Sequence, residues 1–288
     1  MKRLNTSDDA QAASDAKKNV RNLRLILSYD GTEFAGWQVQ PGRMTVQGAL
    51  ASAIGRLSGE NVLPQGSGRT DAGVHALAQV ASCATVSAIP VENWMKALND
   101  LLPASIRVME VTEATPEFHA RKSARAKTYR YRIYRGAICP PFLARYVWHY
   151  PYPLEESAMV AAAGLVVGEH DFTSFAAVDP ERVERIADSE SLNHREHRGT
   201  QGHTEYQVSN IRTIFSSQWT REGDEMIYTV RGNGFLHHMV RNLVGTFLLM
   251  GKGTVSLEDL RSILYARERT AAGPTAPASG LYLVAVEY

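Results

Sequence analysis

Residues 66–76 read GSGRTDAGVHA, and their neighbours on both sides have regular hydrophobic patterns. Before this stretch, residues 45–57 carry apolar side chains at helical spacing, which predicts a helix. After it, residues 78–86 carry the alternating apolar pattern of a strand. Three glycines lie in residues 66–73, and glycine permits backbone conformations and close approaches that larger residues resist. We therefore predict a tightly bent loop between a helix and a strand.

Strands and helices also alternate along the rest of the chain. Strands are predicted at residues 23–29, 106–111, 128–134, 211–219, 226–231 and 281–287. Helices are predicted at residues 154–167, 235–250 and 257–265, with another that begins near Pro90 and continues through Trp94, Leu98 and Leu101. This mixture indicates an α+β fold with two halves of similar make-up, although no clear sequence repeat relates them.

Composition divides the chain into a tail and two halves. Residues 1–21 are small, polar and charged, which predicts a disordered tail. Residues 22–114 form an N-terminal α+β half that carries the glycine-rich loop, and residues 115–288 form a C-terminal α+β half. Within the second half, residues 179–204 are polar and contain three histidines, His194, His197 and His203, which predicts an insertion loop rather than a metal site.

The charge of the chain is nearly balanced on average but unevenly distributed. The formal net charge is +1, which by itself argues against an obligate nucleic-acid binder. However, residues 118–154 contain eight Lys or Arg side chains and no acidic residue, and residues 226–257 are also free of acids. Two basic surfaces are therefore predicted on a nearly neutral protein.

Cysteine usage and hydropathy indicate the cellular compartment in which the protein is expected. The two cysteines, Cys83 and Cys139, lack the spacing of metal ligands, so reduced thiols in an intracellular protein are expected. The N-terminal residues contain no apolar core of a signal peptide, and no apolar run approaches the ~20 residues that a membrane span needs. We expect a cytoplasmic protein.

Asp71 and Arg69 lie in the glycine-rich loop and are two residues apart. In an extended segment both side chains project to the same side, and a nearby guanidinium favours the ionised carboxylate that a nucleophile or general base requires. The alternative is a turn in which the aspartate bonds to its own backbone, and from these residues alone that alternative is favoured. The loop lacks the Gly-Lys-Ser/Thr ending of a phosphate-binding loop.

Two further segments carry candidate RNA-binding residues. Residues 127–135 alternate arginine with tyrosine, so one face of the strand can contact phosphates and the other can stack on a base. A half-buried strand with a solvated cationic face is the ordinary alternative. In the predicted helix 235–250, Arg241 needs an anionic partner, either a carboxylate or a phosphate. The adjacent His237 and His238 would point in different directions on a helix and make a poor metal pair.

Taken together, these segments resemble the tRNA pseudouridine synthase A family. The motifs that carry the resemblance are YDGTEFAGWQVQ (29–40), TVQGAL (45–50), GSGRTDAGVHA (66–76), FHAR (118–121), KTYRYRI (127–133), DFTSF (171–175), FLHHMVRNLVG (235–245) and GLYLVAVEY (280–288). They span the chain from the first strand to the last, and GRTDAGVHA is highly specific for the family. The polar tail and the insertion 179–204 depart from the usual outline of the family.

The resemblance implies a fold, a substrate and a set of partners. The implied fold has two ferredoxin-like halves that share a curved, mainly antiparallel sheet, with helices on one face and an RNA-binding cleft on the other. The implied activity is the isomerisation of uridine to pseudouridine at positions 38 to 40 of the tRNA anticodon stem-loop. A homodimer is implied, and no cofactor or metal is expected.

The resemblance also assigns roles to five residues, each at a matching position. Asp71 is the implied catalytic nucleophile, and Arg69 is tied to base flipping. Tyr129 packs on the target uracil, Arg241 pairs with the aspartate, and Leu281 closes over the base.

The chemistry of Asp71 and the class of the protein leave alternatives open. Asp71 could attack C1′ of the ribose or C6 of the uracil, or assist removal of a proton at C2′. A non-catalytic basic RNA-binding module or tRNA chaperone would need only the cationic strand. A metal-dependent nuclease would need several carboxylates in the site, and only one is apparent.

Overall fold

A computed structural model describes residues 20–177 and 209–288 of the 288-residue chain. The predicted insertion 179–204 and nearly all of the predicted tail 1–21 lie outside the described residues. The chain forms two compact units. Unit 1 contains the described residues up to Tyr134, then Ile138–His149 and Ala278–Tyr288, whereas unit 2 contains Arg135–Ala137 and the described part of Tyr150–Pro277.

The sheet of unit 1 is mostly antiparallel. Its strands are β1 (Arg21–Tyr29), β2 (Gln65–Gly66), β3 (His75–Thr85), β4 (Ile106–Ala114), β5 (Ala126–Tyr134), β6 (Trp148–His149) and β10 (Leu281–Glu287). The main order is β4-β1-β3-β10-β5, with β2 beside β3 and β6 beside β5. β10 pairs parallel with β3 and antiparallel with β5, so the last strand of the chain lies between two earlier ones.

In the part of unit 1 that the structure describes there are two α-helices, α1 (Val46–Ser58) and α2 (Val91–Leu101). Thr45 caps α1 by accepting a hydrogen bond from Gly48 N–H at 3.2 Å, which satisfies one donor of the first turn. The buried face of α1 includes Leu50 and Ile54. In β1 every second residue from Leu23 is buried, as expected for a strand with one face on the core.

The described residues of unit 2 combine three strands with three α-helices. The strands are β7 (Gly168–Asp171), β8 (Ile211–Glu222) and β9 (Glu225–Gly232), and β8 pairs antiparallel with both of the others. The helices are α3 (Glu156–Leu165), α4 (Met239–Gly251) and α5 (Leu257–Ala266). Most of α4 is buried, including its polar residues Asn242 and Thr246.

The predicted α+β class with mainly antiparallel strands is confirmed. The predicted helix 235–250 begins too early, because α4 starts only at Met239. His238 has a left-handed backbone with φ +59°, which ends any helical path before that point. Within the described residues, no helix is both long and apolar enough to cross a bilayer.

Candidate active site

The loop that carries Asp71 joins β2 to β3 through a tight turn. The Val74 N–H donates to the Asp71 carbonyl oxygen at 3.1 Å, which closes a four-residue turn. Gly73 occupies the third position of this turn with φ +77°, a conformation that favours glycine. Asp71 is therefore a half-buried residue at the start of a turn, and not part of an extended strand.

A second loop, residues 30–37, supports the Asp71 loop from one side. The Trp37 N–H donates to the Thr70 carbonyl at 3.0 Å, and the Gly73 N–H donates to the Phe34 carbonyl at 3.3 Å. Gly36 has φ +90°, and a Cβ atom there would lie 2.5 Å from the Thr70 carbonyl oxygen. The two backbones can approach this closely only because residue 36 has no side chain.

Side chains of the unit 1 sheet hold the beginning of the same loop. Gln79 on β3 is fully buried, accepts from the Ser67 hydroxyl at 2.6 Å and donates to the Gly68 carbonyl at 2.9 Å. Lys127 on β5 donates from Nζ to the Ser67 carbonyl at 2.6 Å. Because buried polar groups are costly to leave unpaired, these bonds restrict the loop to one path.

Two buried tyrosines, Tyr29 and Tyr129, are associated with the Asp71 loop. The hydroxyl groups of Tyr29 and Thr70 lie 2.8 Å apart, and burial raises the pKa of Tyr29 to about 12. Burial also raises the pKa of Tyr129, and the nearby charges of Tyr29 and Asp71 raise it further. Asp71 therefore lies close enough to the Tyr129 phenol to act on it electrostatically, and the phenol remains protonated at neutral pH.

Leu281 and Tyr129 lie on the same face of the unit 1 sheet. Leu281 is paired with Tyr131 and Leu283 with Tyr129, so the β5 and β10 side chains at these positions share a face. Tyr129 and Leu281 are both largely buried, with 8% and 5% of their surface exposed. The register thus places an aromatic ring and an aliphatic side chain on one face of the sheet.

The predicted alternation along residues 127–135 is present in β5. Tyr129, Tyr131 and Ile133 are buried, whereas Arg130 and Arg132 are partly exposed. The Arg132 guanidinium donates to the Tyr282 hydroxyl at 3.4 Å and lies 5.8 Å from the centre of that ring. β5 therefore presents cations on the face opposite to the tyrosines.

Arg241 belongs to unit 2, where it lies in the first turn of α4. Its Nε donates to the Ala276 carbonyl at 2.7 Å, and the Ala276 N–H donates to the Arg241 carbonyl at 3.1 Å. The first bond restrains the guanidinium from one side, and the second joins the backbones of the two residues. Half-buried Arg69 is two residues before Asp71 in unit 1, as the sequence dictates.

The histidine pair before α4 differs from the prediction. His237 and His238 precede the helix, and their rings lie 4.0 Å apart between centres. The prediction that they diverge on a helix is therefore wrong. The left-handed backbone of His238 turns the two adjacent rings toward each other instead.

The sequence of the chain matches one family of enzymes. A family model described as tRNA pseudouridine synthase matches residues 25–121 and 162–288. This chain belongs to the tRNA pseudouridine synthase family. The resemblance inferred from the sequence motifs is thereby confirmed.

Bacterial relatives match nearly the whole chain. It is 48% identical to the tRNA pseudouridine synthase A of Solibacter usitatus over 269 residues, which cover 93% of this chain and 100% of the relative. It is 44% identical to the protein of the same name from Moorella thermoacetica, with 92% and 99% coverage. The corresponding protein of Brevibacillus brevis is 42% identical, with 93% and 100% coverage.

This tRNA pseudouridine synthase family member also contains a buried histidine whose role the motif analysis missed. His75 Nδ1 accepts from the Gly31 N–H at 3.1 Å and lies 3.2 Å from the Asp30 carboxylate. The ring stacks on Tyr282 at 4.8 Å between centres, and Tyr146 donates to Asp30 at 2.9 Å. His75 and Asp30 both occur in the family motifs, so the signal was present, but their contact depends on the pairing of β1 with β3.

The His75 site predicts a pH dependence of folding in this family member. Burial lowers the pKa of His75 below its ordinary value, although the Asp30 charge opposes the shift. The unfolded chain therefore takes up a proton near pH ~6.5 that the folded chain resists, and the free energy of unfolding falls as the pH drops below that value. We expect urea denaturation to show a smaller fall between pH ~7.5 and ~5.5 in His75→Asn than in the wild type.

Two variants test whether His75 is the origin of this pH dependence of stability. The Asn amide oxygen can still accept from Gly31 N–H, so His75→Asn removes the titration and keeps this bond, while it loses the stacking on Tyr282. His149→Asn changes an exposed histidine of the same unit and serves as the control. An undiminished pH slope in His75→Asn would place the titrating group elsewhere.

Proposed function

We propose that this chain isomerises uridine to pseudouridine at positions 38 to 40 of the tRNA anticodon stem-loop, with Asp71 as the nucleophile. The observation that carries the proposal is the placement of Asp71. Its half-buried carboxylate lies in the loop most specific to the family, beside the buried Tyr129 phenol. Several relatives are named tRNA pseudouridine synthase A, which supports tRNA as the substrate.

The reaction needs only a positioned carboxylate in addition to binding. The bond between N1 of uracil and C1′ of ribose breaks, the base turns, and C5 is joined to C1′. The proton on C5 is then lost and N1 gains one, so the product is an isomer of the substrate. Asp71 acts by attack at C1′ or C6, or by assisting proton removal at C2′, and all three routes require an ionised carboxylate beside the target nucleoside.

The side chains near Asp71 can hold a detached base. Tyr129 and Leu281 lie on one face of the sheet, and we propose that they enclose the uracil while it turns. Arg241 is proposed to pair with the Asp71 carboxylate and keep it ionised. Arg69 is proposed to assist extrusion of the uridine, which costs roughly a few kcal/mol of stacking and pairing energy.

Cationic strand residues provide the binding energy in this proposal. Arg130 and Arg132 lie on the partly exposed face of β5, where contacts to phosphates would offset the cost of base extrusion. We also propose that the enzyme is a cytoplasmic homodimer in which tRNA contacts both subunits. Light scattering of the purified protein tests the dimer, since the mass of one 31.8 kDa chain would contradict it.

Incubation of unmodified tRNA with purified protein tests the activity and the site together. Pseudouridine is mapped by carbodiimide labelling and reverse transcription, and we expect product at uridines 38 to 40 and nowhere else. A tRNA with cytidine at these positions is the matched control. Tight binding without any product would instead support a non-catalytic RNA-binding module, which the cationic face of β5 would equally serve.

A further inference from the structure

The segment from Arg269 to Ala276, which we call the strap, is bonded to α4 along its length. It begins with a short 3-10 turn, Arg269–Ala271, that follows α5. The segment then crosses α4 beside Asn242 and Arg241. Both the strap and α4 belong to unit 2.

Arg269 ties the strap to itself and to the helix. Its Nη1 donates to the Gly273 carbonyl at 3.0 Å and to the Ala272 carbonyl at 3.4 Å. Its Nη2 donates to the Asn242 side-chain oxygen at 3.0 Å and to the Thr275 hydroxyl at 3.2 Å. Within the described part of the chain, every one of its partners is a neutral oxygen. The guanidinium therefore serves as a rigid multiple donor and not as half of an ion pair.

Asn242 is the receiving side chain on α4, and it is fully buried. Its oxygen accepts from Arg269 and also from the Thr275 hydroxyl, the latter at 2.7 Å. Its nitrogen donates to the Phe175 carbonyl at 2.7 Å. A buried amide with both ends bonded has one orientation, because any rotation leaves a buried polar group unpaired.

Close backbone packing leaves the strap no room to shift toward α4. A Cβ atom on Gly245 would lie 1.7 Å from the Pro274 carbonyl oxygen, so that helix position must be glycine. A Cβ atom on Gly273 would lie 2.8 Å from the Thr246 Cα. The Gly273 N–H also donates to the Thr246 hydroxyl at 2.9 Å. Packing therefore fixes the distance between the strap and α4, and hydrogen bonds fix the position of the strap along the helix.

The end of the strap holds Arg241. Ala276 exchanges two hydrogen bonds with this residue, one with its backbone and one with its side-chain Nε. A displacement of Ala276 would thus rotate the guanidinium, because Nε and the two terminal nitrogens lie in one rigid plane. Arg269 and Asn242 both bond to the hydroxyl of Thr275, the residue immediately before Ala276, so they restrain Ala276 through the backbone.

We propose that Arg269 and Asn242 are positioning residues for the reaction: they clamp the strap on α4 so that Ala276 orients the Arg241 guanidinium. This inference rests on the proposed function, in which Arg241 pairs with the nucleophile. The clamp acts through Arg241, so its loss lowers the rate of the chemical step and leaves the affinity for tRNA nearly unchanged.

Arg269→Met removes the donors while it keeps much of the side-chain length. We expect kcat for pseudouridine formation to fall about 10- to 100-fold and KM for tRNA to change less than about 3-fold. Arg269→Lys keeps the charge but cannot supply the planar set of donors, so a similar loss is expected. Arg269→Lys also provides a second test of the proposal if Arg269→Met folds poorly. The control is Arg261→Met on α5, which removes an exposed arginine and should leave kcat unchanged.

A double-mutant cycle separates positioning from a general structural effect. The Arg241→Lys variant has no guanidinium at position 241 for the strap to orient. Adding Arg269→Met to this variant should therefore lower kcat by less than about 3-fold. Losses that multiply fully in the double variant would overturn the clamp, as would an Arg269→Met variant with the wild-type kcat. Failure of the proposed function looks different, because the wild type itself would then make no pseudouridine.

Discussion

Replacement of Asp71 by asparagine is expected to lower the single-turnover rate of pseudouridine formation by at least about 1,000-fold. Asparagine has nearly the same shape as aspartate, so the turn that begins at Asp71 and the contacts of Thr70 with Trp37 should persist. It lacks the negative charge and the nucleophilic oxygen, so neither attack on the nucleoside nor assistance in proton removal is possible.

Single-turnover assays with radiolabelled tRNA measure this effect, together with a binding assay on the same preparation. The Kd for tRNA should stay within about 3-fold of the wild-type value, because phosphate contacts dominate affinity. Asp100→Asn changes an exposed aspartate on α2 and provides the matched control. If Asp71→Asn retains wild-type turnover, the nucleophile has been assigned to the wrong residue.

Gly36→Ala is expected to lower kcat by about 100-fold without any change in a residue that touches the substrate. The new methyl group would lie 2.5 Å from the Thr70 carbonyl oxygen and 3.1 Å from the Asp71 carbonyl carbon. Both atoms are backbone and cannot rotate away, so the Asp71 loop must move. A displacement of about 1 Å is enough to misplace a nucleophile relative to its target.

Gly42→Ala separates steric displacement from backbone strain. Gly42 also has positive φ, at +68°, but a Cβ atom there would have nothing within 4 Å. Both variants should lose about 1–2 kcal/mol of stability from the left-handed backbone, whereas only Gly36→Ala should lose activity. Thermal unfolding and kcat are measured for both. Equal activity in the two variants would show that loop 30–37 does not position Asp71.

Local sequence patterns predicted most helices and strands because their causes are local. The alternation in β5 and the Thr45 cap of α1 can both be recognised within a few residues. The start of α4 could not be recognised in this way. The helical spacing of apolar residues continues back to Phe235, whereas the helical backbone begins only at Met239. The left-handed conformation of His238 is not indicated by any local sequence pattern.

The candidate site was only partly predictable for a similar reason. The motif identifies Asp71 and the resemblance assigns Tyr129 and Leu281, but the support of the loop comes from distant parts of the chain. Lys127 contacts Ser67 across 60 positions of sequence. Such contacts follow from strand order and register, which the hydrophobic pattern does not specify.

The position of β10 in unit 1 has a consequence for how the enzyme matures during protein synthesis. β10 leaves the ribosome after every other strand, yet it pairs with both β3 and β5. Until it emerges, the facing edges of β3 and β5 have no partner between them, and closing this gap is slow because the contacts are far apart in sequence. Growing chains therefore lack Leu281, the residue that we propose closes over the base. We expect the sheet of unit 1 to be completed only after β10 has been synthesised.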